Sequence, residues 1–254
     1  MLFAVCRGGT PKHEGISVFR SPFVFNGRHC AGRGRGLGLF ITFEGVEGCG
    51  KSTQMALLKD YIESGGARVV AVREPGGTKT GELVRSILLN SGGEGLDPFT
   101  ELFLYEACRA QLVAKVIRPA LEEGATVLCD RFIDSTIAYQ GYGRGLDIEA
   151  IRTLNNLATG GLTPDVTILL DCDEAMGLNR AFGRIEAAGG ENREDRFEKE
   201  ALTFHRKVRE GFAVLCASAE GRIKMVDASG EIPSIHKKIC DIIDIAASAA
   251  NGDA

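Results

Sequence analysis

One nine-residue stretch restricts this chain more than any other. Gly45-Val46-Glu47-Gly48-Cys49-Gly50-Lys51-Ser52-Thr53 follows the apolar run Leu37-Gly38-Leu39-Phe40-Ile41-Thr42-Phe43-Glu44 and precedes a segment with helical spacing, in which Met55, Leu57, Leu58, Tyr61 and Ile62 share a face. Gly45 to Ser52 fits G-x-x-x-x-G-K-[ST], placed between a strand and a helix as a phosphate-binding loop must be. Glycines let backbone N–H groups crowd round phosphate oxygens, and the start of the helix adds positive potential. Lys51 is suited to the outer phosphates and Ser52 to Mg²⁺. The stretch implies a nucleoside triphosphate and leaves the reaction open.

The rest of the chain supplies a scaffold for such a loop. With 254 residues and 44% hydrophobic content, it can bury a substantial core, and the length suits one domain better than two. No apolar run approaches the ~18 residues of a membrane span. The net charge of −4 argues against direct nucleic-acid binding. The eight cysteines, at positions 6, 30, 49, 108, 129, 172, 216 and 240, form neither a C-x-x-C pair nor a zinc-spaced cluster. Free thiols of this kind belong to a reducing, cytoplasmic setting.

Residues 1–36 are different: six cations (Arg7, Lys12, Arg20, Arg28, Arg33, Arg35) face the single acid Glu14, giving about +5 against −9 for the remainder. This reads as a disordered basic extension with no signal-peptide core, and it leaves organelle targeting open. Residues 249–254 read as a flexible tail. From residue 37 to 248, one domain is expected. Its strands are predicted at 38–43, 68–73, 125–129, 165–171 and 222–227, and its helices at 51–64, 80–90, 98–122, 135–159, 173–186, 199–218 and 233–247. Alternation with apolar strands predicts an α/β fold, a parallel sheet covered by helices on both faces, with ligands beyond the strands' carboxyl ends.

The residues that follow each strand are therefore the candidates for chemistry. The second is followed by Arg73-Glu74-Pro75-Gly76-Gly77-Thr78, a turn that presents an arginine, a carboxylate and several N–H groups. The third ends in Asp130-Arg131, a carboxylate placed to organise the metal and a guanidinium suited to a second anion. Ser135, Thr136, Tyr139 and Gln140 share a helical face and could line a base or sugar pocket. Tyr105 and Arg109 lie at i and i+4, where a base could stack on the ring while the arginine donates to its oxygens. Residues 180–198 hold many charges and glycines with a poor apolar pattern, and read as a mobile flap.

In this order the motifs resemble those of bacterial-type thymidylate kinases, over about residues 40 to 243. The resemblance rests on Glu44 to Thr53, Arg73 to Thr78, Tyr105 to Gln111, Asp130-Arg131 with Ser135 to Gly141, and Asp195-Arg196-Phe197-Glu198. It implies the P-loop NTPase three-layer sandwich, with a five-stranded parallel sheet and a mobile lid (about 183–198). It also implies ATP and dTMP as substrates, Mg²⁺ on Ser52 and Asp130, and a homodimer formed through helices packed side by side.

For individual residues the resemblance implies that Gly45 to Thr53 bind ATP, that Glu47 contacts the 3′-hydroxyl of the acceptor, that Arg109 hydrogen-bonds thymine, and that Arg131 holds the acceptor phosphate. Tyr105 would stack on thymine where the family usually has Phe. Thr136 and Gln140 would border the base, with Ser135 beside them, and Tyr139 would pack under the deoxyribose and disfavour a 2′-hydroxyl. Arg73, Glu74, Pro75 and Arg85 match positions near the pocket. The loop carries no arginine, so the catalytic cation is expected from the lid, Arg184 first and Arg180 second. Phe182, where an Arg is common, and the long stretch from Arg184 to Asp195 leave Arg193 and Arg196 as alternatives. Another P-loop nucleotide or nucleoside kinase is the nearest rival. A nucleotide-dependent switch is less consistent, because the chain has no N-K-x-D motif and a second anion site would serve no purpose there.

Overall fold

Strand polarity of burial explains the sheet. In the computed structural model, which describes residues 38–89, 95–187, 196–198 and 200–251, five parallel strands are ordered β2-β3-β1-β4-β5. They are β1 (Phe40–Glu44), β2 (Val69–Arg73), β3 (Thr126–Asp130), β4 (Val166–Asp171) and β5 (Ile223–Asp227). The three inner strands are buried almost throughout, as a parallel strand covered on both faces must be, whereas the edge strands β2 and β5 expose several side chains. Alternate residues of the inner strands supply separate cores. Ile41, Phe43, Leu128, Ile168 and Leu170 pack on one face, and Phe40, Val127 and Cys129 join Leu112, Ile117 and Phe132 on the other.

The helices are α1 (Lys51–Ser64), α2 (Lys79–Leu89), α3 (Pro98–Leu112), α4 (Arg118–Glu122), α5 (Ile133–Thr136), α6 (Ile148–Thr159), α7 (Glu174–Ala187), α8 (Leu202–Ser218) and α9 (Ile232–Asn251). Two expected helices turn out to be composite. The segment 98–122 is one path, but its backbone widens into a π-helical stretch, Val113–Ile117, between α3 and α4. The expected helix 135–159 is interrupted: α5 opens into a second π-helical stretch, Ile137–Gly143, and α6 starts afresh after Asp147, whose side chain accepts from Ala150 N–H. Gly141, Gly143 and Gly145 explain the break, since glycine weakens a helix interior. A Cβ on Gly143 would stand 2.6 Å from the ring of Phe204 on α8. The last helix continues to Asn251, into the stretch read as a tail. Residues 1–37, 188–195 and 252–254 lie outside the described residues, and with them the whole of the expected extension and the middle of the expected lid. Among the described residues no helix is long and apolar enough to cross a membrane.

The register carries the functional consequence. Phe43 pairs with Asp130, and Asp130 pairs with Arg73 on its other side. The loops after β1, β3 and β2 therefore emerge side by side.

Candidate active site

The loop after β1 is built on left-handed glycines. Gly48 and Gly50 have φ of 68° and 96°, values that L side chains resist. Lys51 begins α1, and its Nζ donates to the carbonyls of Gly45 (3.0 Å) and Val46 (2.8 Å). Val46 and Cys49 point into the core, so they serve the loop through their backbone. Ser52 Oγ donates to Asp130 Oδ2 at 3.2 Å, and Asp130 Oδ1 is buried without a partner among the described residues. Two hard oxygen donors beside a phosphate loop suit Mg²⁺, which prefers few protein ligands plus phosphate and water. Among the described residues no cluster of three His, Cys, Asp or Glu could form a protein-only metal cage.

Next to the loop lies a cavity of about 250 Å³. Every residue read as part of the acceptor site lines it: Glu47, Arg73, Glu74, Pro75, Arg85, Tyr105, Arg109, Arg131, Ser135, Thr136, Tyr139 and Gln140, with Lys51, Ser52 and Asp130 at the loop end. Leu89, Phe197 and Glu198 complete it. Arg131 holds a left-handed backbone (φ 69°), unusual for a residue with a side chain. Its guanidinium donates to Gly45 O (3.0 Å), Ser135 Oγ (3.3 Å) and Glu47 Oε1 (3.1 Å). Arg73 is half-exposed and pairs with Glu82, and Arg85 donates to Pro75 O. Gln140 donates to the fully buried Glu101. Thr136 Oγ1 and Glu74 Oε1 are buried at the cavity with no partner among the described residues.

Glu47 shows the electrostatics of the site. Its Oε1 accepts from Tyr139 Oη at 2.6 Å, and His205 Nδ1 stands 3.2 Å from Oε2. Burial opposes ionisation, but His205, Arg131, Lys51 and Tyr139 together outweigh it and hold the carboxyl down to about 2. No histidine was expected here. His205 comes from α8, far along the chain and wholly buried, and nothing in its neighbourhood in the sequence sets it apart from a core helix residue.

Arg109 departs from expectation in another way. All five of its N–H groups meet protein acceptors: Nε and one Nη2 hydrogen reach Glu74 Oε2 (3.0 and 2.6 Å), the other reaches Phe132 O (3.1 Å), and Nη1 reaches Glu106 Oε1 (3.0 Å) and Asn155 Oδ1 (2.6 Å). A base that bonds to Arg109 must share or displace one of these.

The lid candidates separate. Arg180 does not line the first cavity. It donates to Ala228 O (3.3 Å) beside a second cavity of about 500 Å³ on the other side of the loop, where Gly48, Cys49, Gly50 and Thr53 meet Gly230 and Ile232. The turn from β5 to α9 was not read as part of a site. Arg184 belongs to α7, with its side chain outside the described residues, as Arg193 is altogether. Arg196 is committed elsewhere: it donates to Leu88 O (2.8 Å), makes a very short contact with Glu101, and lies over the Phe197 ring.

A parallel sheet with a phosphate loop at its topological switch and a cavity on each side of that loop defines a P-loop nucleotide kinase. The chain belongs to the thymidylate kinase family, whose model matches residues 43–239. It is 53% identical over 196 residues to the thymidylate kinase of Citrifermentans bemidjiense, covering 77% of this chain and 87% of that protein. It is 50% identical over 207 residues to that of Geobacter sulfurreducens, covering 82% and 97%. The crystal structure of thymidylate kinase from Ehrlichia chaffeensis is similar with a TM-score of 0.66 at 34% identity, over 82% of this chain and 98% of that one.

Proposed function

We propose that the protein transfers the γ-phosphoryl group of ATP to dTMP, giving ADP and dTDP for dTTP synthesis. The observation that carries the reading is Arg131, held at the loop's edge with its guanidinium facing a cavity also lined by Thr136 and Glu74, whose Oγ1 and Oε1 are buried without a partner among the described residues. An acceptor phosphate oxygen is already anionic, so no general base is needed. The work left to the protein is positioning and charge neutralisation. Lys51 would leave its loop carbonyls for the outer phosphates. Arg131 and Arg73 would hold the acceptor phosphate, and Glu47 and Tyr139 the sugar. Tyr105, Arg109, Thr136 and Gln140 would surround the base. Ser52 and Asp130 would hold Mg²⁺, which supplies charge neutralisation between the phosphates. Arg184 is assigned to the transferring group, and Arg180, beside the second cavity, to the donor nucleotide.

The same reading takes the protein as a cytoplasmic homodimer. Leu83 and Ile87 on α2, Phe99 and Phe103 on α3, and Leu157 on α6 are exposed on helices that pack against one another. Such a cluster of large apolar side chains marks an interaction surface.

The test is ADP release with ATP and Mg²⁺ against dTMP, dUMP, dCMP, dAMP, dGMP and thymidine in parallel. Preference for dTMP is expected. ADP release that ignores the acceptor, or follows a different one, overturns the reading.

A further inference from the structure

We infer that Glu44 is a positioning residue for phosphoryl transfer: its carboxyl group fixes the segment carrying Arg131 against the end of β1 and thereby sets the spacing of the donor and acceptor sites. The inference rests on the reading above, in which Arg131 holds the acceptor phosphate.

Glu44 is the last residue of β1, wholly buried, and directly precedes the phosphate loop. It touches neither cavity. Its Oε1 accepts from the Phe132 N–H (2.7 Å) and the Ser135 N–H (3.3 Å), and its Oε2 is 2.5 Å from Ser135 Oγ. Ser135 Oγ in turn accepts from Arg131 Nη1. On its other side, Arg131 is anchored by its own N–H to Phe43 O (2.9 Å) and by Nη1 to Gly45 O. Thus the left-handed turn at Arg131 is held from both flanks by three consecutive residues, Phe43, Glu44 and Gly45, of which the last opens the loop. A strained non-glycine turn persists only where its surroundings over-determine it. Glu44 supplies the flank that no main-chain ladder reaches.

The chemistry of this contact predicts which substitutes can serve. Burial, with Asp134 nearby, pushes the Glu44 carboxyl up to about 8. One oxygen accepts the two N–H groups and the other accepts from the Ser135 hydroxyl. A glutamine keeps the oxygen acceptor and, on the same skeleton, offers an N–H that the Ser135 hydroxyl can accept by rotating its own hydrogen away. A leucine fills similar space and offers neither. An aspartate keeps the chemistry but retracts it by one methylene.

The test compares the full chain with Glu44→Gln, Glu44→Leu and Glu44→Asp. Titration calorimetry measures binding of dTMP, of a non-hydrolysable ATP analogue, and of a bisubstrate analogue joining adenosine and thymidine through five phosphates, alongside steady-state kinetics. Linking converts the second binding step into an intramolecular one that depends on correct spacing. In Glu44→Leu, each separate nucleotide should weaken by no more than ~3-fold while the linked analogue weakens by at least ~30-fold and kcat falls at least ~10-fold, as small misplacements do. Glu44→Gln should match the parent in all three. If Glu44→Leu loses its cooperative thermal transition, Glu44→Asp must show the selective loss. Overturning results are a linked-analogue loss no larger than the combined separate losses, a glutamine no better than leucine, or an aspartate equal to the parent. Failure of the parent protein to phosphorylate dTMP would instead sink the functional reading, and the inference with it.

Discussion

Ser52 and Asp130 face each other across the end of the sheet, with Ser52 Oγ 3.2 Å from Asp130 Oδ2 although 78 positions separate them in the chain. The contact exists because β1 and β3 are neighbours in register, so α1 begins beside the last residue of β3. With Oδ1 buried and unpartnered among the described residues, Asp130 presents an oxygen with no internal use. Asp130→Asn should keep the shape and remove the charge. We expect kcat to fall by about 10²-fold and the Mg²⁺ concentration for half-maximal activity to rise at least ~10-fold, because the carboxylate contributes charge that a carboxamide lacks. A Mg²⁺ titration at saturating substrates reads both. An unchanged half-maximal concentration would remove Asp130 from the metal.

Glu47 links folding to pH. Its carboxyl is held down to about 2 in the folded protein, from an ordinary value of 4.5. A depressed acid contributes stability that is complete above the unfolded value and lost as pH falls through the folded one, here between about 4.5 and 2. The full contribution is roughly 3 kcal/mol by that linkage. Urea unfolding between pH 6 and about 3 should show a steeper loss of stability in the parent than in Glu47→Gln, which has no proton to take up there. Parallel slopes would mean that the cations around Glu47 do not stabilise its charge.

How far the sequence was legible depends on whether a residue's partners are local. The inner strands announced themselves, since parallel strands buried on both faces must be apolar runs, and the loop after β1 carries its chemistry in consecutive residues. Tyr105 and Arg109 share a helical face and could be read as a pair. What Arg109 does there could not be read, because its acceptors Glu74, Phe132 and Asn155 arrive from three other segments. His205 was invisible for the same reason. The π-helical stretches were missed because the apolar spacing hardly changes when one turn widens. Arg196, a lid candidate by its position, pairs with Glu101, a buried carboxylate on α3 that no local pattern connects to it.

That crowding around Arg109 makes it a stability residue as well as a candidate ligand. It is among the largest wholly buried side chains, and Glu74 and Glu106 depend on it for charge balance. Arg109→Met leaves two buried carboxyls without their cation, a loss worth about 3–5 kcal/mol. We expect the unfolding temperature to fall by roughly 10 °C. Arg109→Lys should recover little, since an ammonium cannot reproduce the five-donor fork. Calorimetry on both variants, without nucleotide, separates this role from any contact with a base. A drop of only a degree or two would show that the cluster is not held by the arginine.

The exposed apolar residues on α2, α3 and α6 give a direct test of assembly. Phe99 and Phe103 lie together with ring centroids 6.3 Å apart, and Leu83 and Leu157 are about 70% exposed. Burying them against a second copy would remove these large apolar side chains from water. Sedimentation equilibrium should give a dimer for the parent and a monomer for Phe103→Glu combined with Leu157→Arg. A monomeric parent would end the homodimer reading without touching the chemistry.

Gly177 offers a case where stability and activity should part. It lies within α7, the helix that bears Arg180 and Arg184, and a Cβ there would stand 2.3 Å from Glu47 O; reciprocally, a Cβ on Gly48 would stand 1.9 Å from Gly177 O. The phosphate loop and α7 therefore touch backbone to backbone. Alanine at position 177 gains about 1 kcal/mol of helix propensity. The clash against a loop carbonyl has no flexible side chain to absorb it, so the loop or the helix must shift. We expect Gly177→Ala to keep its unfolding temperature within about 3 °C, as the two effects offset. Its kcat/KM for ATP should fall at least ~10-fold, because a displacement near 1 Å disrupts phosphate positioning. If both stability and activity stay at parental values, the helix can move away freely, and the glycine contact does not set the approach of α7 to the loop.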